Sequence, residues 1–401
     1  MKTCLSFIAA LFVVCLELHS QVVPAANGPA TNFSYILRYS QSAQFGGGSG
    51  DRQTSTPSGE VDFAGGNSQA PFNLNYIGGY SSTLTGPSYS QGFFQRLSLK
   101  QEISGRKWNA LVGDDVNYRP QAPITGFSGI PGTGEPIGHL NPSSQSILNL
   151  RTHTVNNNAT GQLSRILNPA FSISFGGSHD LLRYPDGDGL DTNALSAHGQ
   201  LTRRVTPRQS ISGEYVFSRF SYPVSHLNIN THSGMVIYER SWSRPLRTSI
   251  AIGPECISSS ISQVVPPSTM VAVTSSLSYR LRNGSMGLSY DRSTAGGSGY
   301  LLGQRADSVA GTYSRDFRRH TTIELTGQYR RISALNMNRV IESEFGGIQT
   351  SHRLGRFISV FANYTVITQS ADLALPKNIV RDPLQILTLG TIFAPRNTNH
   401  F

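Results

Sequence analysis

"TSSLSYRLRNGSMGLSYDR" runs from Thr274 to Arg292. Read residue by residue it resembles a polar loop; read in alternate positions it is amphipathic. Leu277, Tyr279 and Leu281 share one face before Arg282-Asn283-Gly284, and Met286, Leu288 and Tyr290 share one face after it. Ser276, Ser278 and Arg280, then Ser285, Ser289 and Asp291, occupy the other face. Alternation of period two is the mark of a strand with two different environments, and Asn-Gly between two such runs predicts a tight hairpin. The same pattern recurs downstream. Ile323, Leu325 and Tyr329 oppose Thr322, Glu324, Thr326, Gln328 and Arg330. Ile358, Val360, Ala362, Tyr364 and Val366 form one face of "FISVFANYTV", Ile211, Tyr215 and Phe217 one face of "SISGEYVFS", and Leu387, Leu389 and Phe393 one face near the end. Charged and amide side chains in mid-strand require that the second face meet water.

The composition fits that reading. The chain has 401 residues, 38% hydrophobic and only 14% charged, with 40 Gly, 16 Tyr and 19 Phe. A soluble domain of this length wants a richer apolar core and a more charged surface. A barrel in lipid needs neither, because its centre is a lumen and its outside faces hydrocarbon. The formal net charge is +10, but the arginines are dispersed at strand ends rather than gathered in one patch, which argues against a nucleic-acid partner.

Residues 1–25 read as a secretory signal peptide: Lys2, an apolar run from about Leu5 to Leu16, and small residues before a cut at Ala25, with Ser20 as a second cut. The run is short for a membrane-spanning helix, the competing reading, which needs about 20 residues. Val13 and Val14 stand where lipidation of Cys15 wants a small residue. Removing the leader takes Cys4 and Cys15 with it and leaves Cys256 without a disulfide partner.

Tight-turn signals fall near Ser68, Gly105, Asn168, Thr206, Arg244, Asn283, Phe317 and Leu354. Their spacing is regular apart from one interval that contains a Gly/Pro-rich insertion at about 118–146. Each interval holds a strand out, a longer loop and a strand back. With a first strand at about Asn32–Phe45 and a last at about Leu384–Ala394, the count is about 18 strands, with 16 as the alternative. The expected fold is therefore an all-β, antiparallel up-and-down transmembrane barrel spanning 26–401, in the bacterial outer membrane. Propeller blades need four strands in such an interval, and solenoids need a continuous apolar core where this chain has a polar second face.

Three stretches carry a resemblance. "GGSGYLLGQRADSVAGTYSRDF" (Gly296–Phe317), "GRKWNALVGDDVNYRPQAPITGFSGIPG" (Gly105–Gly132) and "LRYPDGDGLDTN" (Leu182–Asn193) resemble predicted outer-membrane β-barrel proteins common in acidobacteria. The likeness covers nearly all of the mature chain, and it implies an exported barrel.

Catalytic constellations are weak. Ser178-His179-Asp180 spells triad letters, but successive strand residues point to opposite faces. "GFSGIPG" lacks the spacing of a nucleophile elbow. The histidines show no ligand spacing. Asp186, Asp188 and Asp191 in "PDGDGLD" are the best hint of a metal, as Ca²⁺ ligands, against the plainer reading of a solvated Asp-Gly turn. No cofactor is expected. The arginines near the short turns read either as a solvated rim at lipid headgroups or as an inner basic ring. Arg280, Glu324, Gln328 and Arg330 are the expected lumen-facing residues, and a cationic constriction through Arg280 and Arg330 would favour anions. Phe393 stands where outer-membrane proteins carry the aromatic that the barrel assembly machinery recognises, with Phe401 as second candidate. Three functions stay open: a porin-like channel for small solutes, a non-conducting structural or surface-interaction barrel, and a membrane-embedded hydrolase.

Overall fold

A computed structural model describes residues 32–47, 51–67, 69–86, 91–119, 153–187, 189–296, 301–317, 320–336, 340–371 and 383–395. Every regular element among them is a strand. In chain order these are β1 (Asn32–Gly46), β2 (Arg52–Asn67), β3 (Ala70–Thr85), β4 (Gly92–Ser104), β5 (Trp108–Arg119), β6 (Thr154–Asn168), β7 (Phe171–Arg183), β8 (Thr192–Thr206) and β9 (Gln209–Tyr222). The second half contributes β10 (Leu227–Ser241), β11 (Leu246–Ser259), β12 (Ser268–Leu281), β13 (Gly284–Ala295), β14 (Gln304–Phe317), β15 (Thr321–Ala334), β16 (Val340–Arg353), β17 (Ile358–Ala371) and β18 (Leu384–Phe393).

Each strand pairs antiparallel with the next, and β18 pairs with β1 from Leu37↔Phe393 to Gly46↔Leu384. The sheet is closed, so its 18 strands leave no edge and every ladder finds partners inside the wall. All eight turn positions read from the sequence fall at one end, at the junctions β2–β3, β4–β5 and so on to β16–β17. The leader (1–25), most of the Gly/Pro-rich insertion (120–152), Asp188 and Phe401 lie outside the described residues.

The short turns are chemically specified. The Asn67 side-chain oxygen accepts from the amides of Gln69 and Ala70 at 2.9 and 2.8 Å, and Asn168 does the same for Ala170 and Phe171 at 2.9 Å each; this is the Asx geometry that lets a side chain stand in for a turn residue. In the opening stretch the turn lies one residue earlier than its Asn-Gly suggests. Arg282 and Asn283 are its two residues, while Gly284 already pairs with Leu281. Gly284 serves a close approach instead: at φ 154° a Cβ there would stand 2.1 Å from the Ser314 carbonyl oxygen on β14.

The pleat sorts the outer face. Leu277 pairs with Leu288 and Tyr279 with Met286, and all four are solvent-exposed. Leu325, Ile348, Tyr364 and Leu389 continue the band around the wall, also exposed. A contiguous apolar belt of this extent is not stable in water and is the surface a hydrocarbon solvent matches. Its limits are marked by charge. At the short-turn end, arginines lie over aromatic rings: Arg203 over Phe171 at 5.7 Å, Arg240 over Trp242 at 3.7 Å and Arg315 over Phe317 at 5.0 Å. Toward the loop end, Arg292 pairs with Asp307 at 2.8 Å and Arg331 with Glu342 at 3.7 Å. The run of β14 between Asp307 and Phe317 covers about 33 Å of strand, or about 25 Å along the axis at the usual tilt, the height of a barrel's apolar band.

Candidate functional site: the lumen and its short-turn vestibule

The inward row of each strand alternates with the outer band, and it divides into regions of different chemistry. On β1–β5 two inward arginines are paired with carboxylates. Arg38 on β1 donates to Glu60 on β2, and both side chains are nearly buried. Asn75 on β3 donates to Glu60 at 2.7 Å and to Asp62 at 2.6 Å. Arg52 donates to Gln44 at 2.6 Å. Arg96 on β4 meets Asp115 on β5 at 2.8 Å, and the Ser98 hydroxyl donates to the same carboxylate. These contacts cross between neighbouring strands and neutralise charge within the wall. On β6–β8 the inward row is mostly uncharged: Asn158 donates to Asp180, and Ser178 and Ser196 share a hydrogen bond at 2.8 Å.

The short-turn end of β11–β17 is different. There a cavity of about 1600 Å³ opens at the rim, bordered by outward Tyr279 and Met286 as well as by inward residues. Its lining includes Arg244, Arg247, Arg280, Arg282, Arg353 and Arg356, set among the hydroxyls of Ser278, Ser285, Ser314, Thr322, Ser351 and Ser359. The arginines come together by register. Arg247 on β11 pairs with Ser278 on β12, two residues before Arg280 on the same inward row, so the two guanidinium-bearing positions are diagonal neighbours. Arg353 pairs with Ser359 across β16 and β17, and its guanidinium donates to the Gly355 and Arg356 carbonyls at 3.0 and 3.1 Å. Asp316 is the one carboxylate lining the cavity among the described residues, and it accepts from Thr322 at 2.7 Å. Among the described residues none of the six arginines forms an ion pair, and all six are exposed.

The four residues expected to face the lumen do not form one group. Arg280 lines the vestibule. Glu324, on β15 opposite Ser314 and Gln349, is half-buried deeper along the wall. Gln328 is 8% exposed and Arg330 2%. Arg280 and Arg330 thus occupy different depths and different environments, and they do not build one constriction. The inward rows of β14–β18 close in the same sense: Ser314 and Ser351 are accessible near the short turns, whereas Gln304, Ile332, Ile367 and Leu384 at the other end are fully buried. Between β9, β10 and β11 the loop end holds an apolar cluster of Phe220, Tyr222, Leu227, Ile229, Ile257 and Val265.

Sequence reading placed Arg247 and Arg353 among the short-turn arginines without assigning them a face. Counting parity back from the turns assigns both. It did not anticipate the pairs Arg38–Glu60 and Arg96–Asp115, which depend on inter-strand register.

The remaining sites are simpler. Ser178 and Asp180 share the inward face, with the Ser178 hydroxyl 3.4 Å from the Asp180 carboxylate, while His179 points outward, so the three letters do not converge. In the β7–β8 loop, Asp186 accepts from the His153 amide at 3.0 Å and contacts its Nδ1 at 2.5 Å. The His153 amide hydrogen bond, with help from its ring, lowers the Asp186 carboxyl below the ordinary carboxylate range. Asp191 accepts from the Tyr184 amide at 2.9 Å and lies 3.7 Å from Arg183. These two carboxylates pin the loop to separate partners, and no group of three metal-ligating side chains occurs among the described residues. Phe393 ends the outer row of β18, its ring 6.4 Å from that of Phe357.

No family model matches the chain, and no curated protein matches it either. Solved structures do. OccK2 (OpdF) of Pseudomonas aeruginosa, in complex with glucuronate, superposes with a TM-score of 0.51 at 12% identity, covering 92% of this chain and 100% of that one. A second structure of OccK2 (OpdF) gives 0.51 at 13%, covering 92% and 99%. At these identities the likeness is one of fold.

Proposed function

We propose that the protein is an outer-membrane, porin-like channel for passive diffusion of small hydrophilic solutes. One observation carries the reading: a water-accessible cavity rich in arginine, serine and threonine opens at the short-turn rim of a closed wall whose outer face is an apolar band. A barrel of about 18 strands encloses an aqueous path unless its interior is filled. The fold neighbours are outer-membrane porins, and one was solved with glucuronate, a small polar acid. On this reading the short turns face the periplasm, membrane lipid contacts the apolar band, and the barrel assembly machinery inserts the chain, with Phe393 as the recognised aromatic.

A second reading is favoured by the buried inward rows of β14–β18 toward the loop end, where Arg330 and Gln304 are shielded from solvent. A lumen closed at that level makes the protein a non-conducting structural or surface-interaction barrel. Planar-bilayer recording with purified full-length protein separates the two. Discrete conductance steps with anion preference are expected of the channel. A silent bilayer from protein that migrates as a folded, heat-modifiable band supports the closed barrel instead.

A further inference from the structure

We propose that the short-turn vestibule is a binding site for multivalent oxyanions, of which phosphate-type groups are the representative chemistry. The inference names a ligand class for the lumen of the proposed channel. Its binding test needs no conduction, so the two readings fail separately.

The argument begins with what the vestibule lacks. On β1–β5 two inward arginines come with a carboxylate, as Arg38–Glu60 and Arg96–Asp115. In the vestibule, among the described residues, six arginines line one cavity with a single carboxylate, Asp316, already engaged by Thr322. Guanidinium groups stay charged throughout the physiological range, so the cavity holds an uncompensated positive field. A monovalent anion offsets one of those charges and leaves the rest repelling one another. An anion with two or more charges offsets several at once.

Geometry and donor chemistry point the same way. Guanidinium presents a planar fork of donors that matches two oxygens of a carboxylate or phosphate. Arg247 and Arg280, diagonal on adjacent strands, offer two forks to one ligand. Arg353 is held in place by two backbone carbonyls, which lowers the entropy lost when it engages a ligand. The hydroxyls of Ser278, Ser285 and Ser351 line the same wall and can donate to further oxygens, as a group with three or more acceptors requires. A cavity of about 1600 Å³ admits a phosphorylated small solute whole. It is also open to water, so entry needs no rearrangement.

The test is isothermal titration of detergent-folded, full-length protein with inorganic pyrophosphate, with acetate as the monovalent comparison at matched ionic strength. Pyrophosphate is expected to bind at least about tenfold more tightly than acetate. The double variant R247Q/R280Q is expected to weaken pyrophosphate binding by at least about tenfold, since each lost charge-assisted contact is worth that order. R203Q, on the outer face over Phe171, is expected to leave binding unchanged. Heat-modifiable migration reports that each variant is folded. Equal affinity for the two anions, or undiminished pyrophosphate binding by a folded R247Q/R280Q protein, overturns the proposal. Pyrophosphate binding by a barrel that passes no current leaves the site standing and removes the channel; current without binding does the reverse.

Discussion

The lumen holds two populations of arginine, and they differ in what answers their charge. On β1–β5, Arg38 and Arg96 each meet a carboxylate on the neighbouring strand. At the short turns of β11–β17, Arg247, Arg280 and Arg353 are exposed in a cavity also lined by hydroxyls, and Arg353 donates to backbone carbonyls. A guanidinium with its counter-charge built in is spent on the wall: removing its partner strands a charge in a place of low polarity. A guanidinium without one is kept for something mobile. The residue type is the same, and so is the inward orientation. Register alone decides which role each takes.

That contrast breaks most visibly under substitution of the partner. Glu60→Gln removes the charge that answers buried Arg38 and is expected to destabilise the barrel by about 3–5 kcal/mol. Arg280→Gln, which removes an exposed guanidinium, is expected to change stability by no more than about 0.5 kcal/mol. Urea titration followed by the loss of the fast-migrating band measures both. Equal effects at the two sites would erase the distinction between spent and available arginines.

The next effect in size tests the two faces rather than the two populations. Leu325→Arg places a charge on the outer band, where Leu325 is 43% exposed, and is expected to cost roughly 2–4 kcal/mol near the midplane. Ser278→Arg, inward and in the vestibule, is expected to cost far less and to raise anion preference. Gln328, inward in register but buried, is the poorer comparator, because an arginine there must be accommodated among packed neighbours. Similar losses at Leu325 and Ser278 in a folding titration would refute the assignment of faces.

The smallest effect concerns a pair at the water's edge. Asp186 and His153 are each about a third exposed, so solvent screens their interaction. Because the folded carboxyl is held below its unfolded value, its contribution is present above the ordinary carboxylate range and fades as pH falls through the lowered value. The protection of the His153 amide, its exchange corrected for the intrinsic pH dependence, is expected to fall on acidification below about pH 4, with no change in the global unfolding midpoint beyond that of Asp186→Asn. A large global shift would place this exposed pair with the buried one.

Period-two alternation made the wall legible because lipid and water impose opposite demands on successive residues. Leu277, Leu325, Tyr364 and Leu389 could be assigned outward from sequence, and the short turns fell where breakers interrupt the alternation. The same rule placed Arg280, Glu324, Gln328 and Arg330 on one parity but could not rank their depth. Burial of Arg330 arises from what the interior contains at that level, which no local pattern encodes. The Arg38–Glu60 pair was illegible for a related reason: it requires knowing that Arg38 pairs with Ser58 and stands diagonal to Glu60, and register is fixed by turn geometry. The opening hairpin shows how fine that margin is, since its turn falls on Arg282–Asn283 and Gly284 serves contact with β14.

The pairing of β18 with β1 also constrains the order of events in time. Leu37 must find Phe393, and Gly46 must find Leu384, so the first strand to be synthesised is one of the last to be completed. Until then it carries a row of unanswered amides and carbonyls, able to recruit any passing strand. Loop-closure entropy grows only slowly with chain length, so the thermodynamic penalty of this distant union is modest. The kinetic penalty is larger, because contacts remote in sequence form late and expose the chain to misassembly in the interval. A seam with no turn to hold its two sides together leaves the first strand exposed for as long as the chain takes to reach its last.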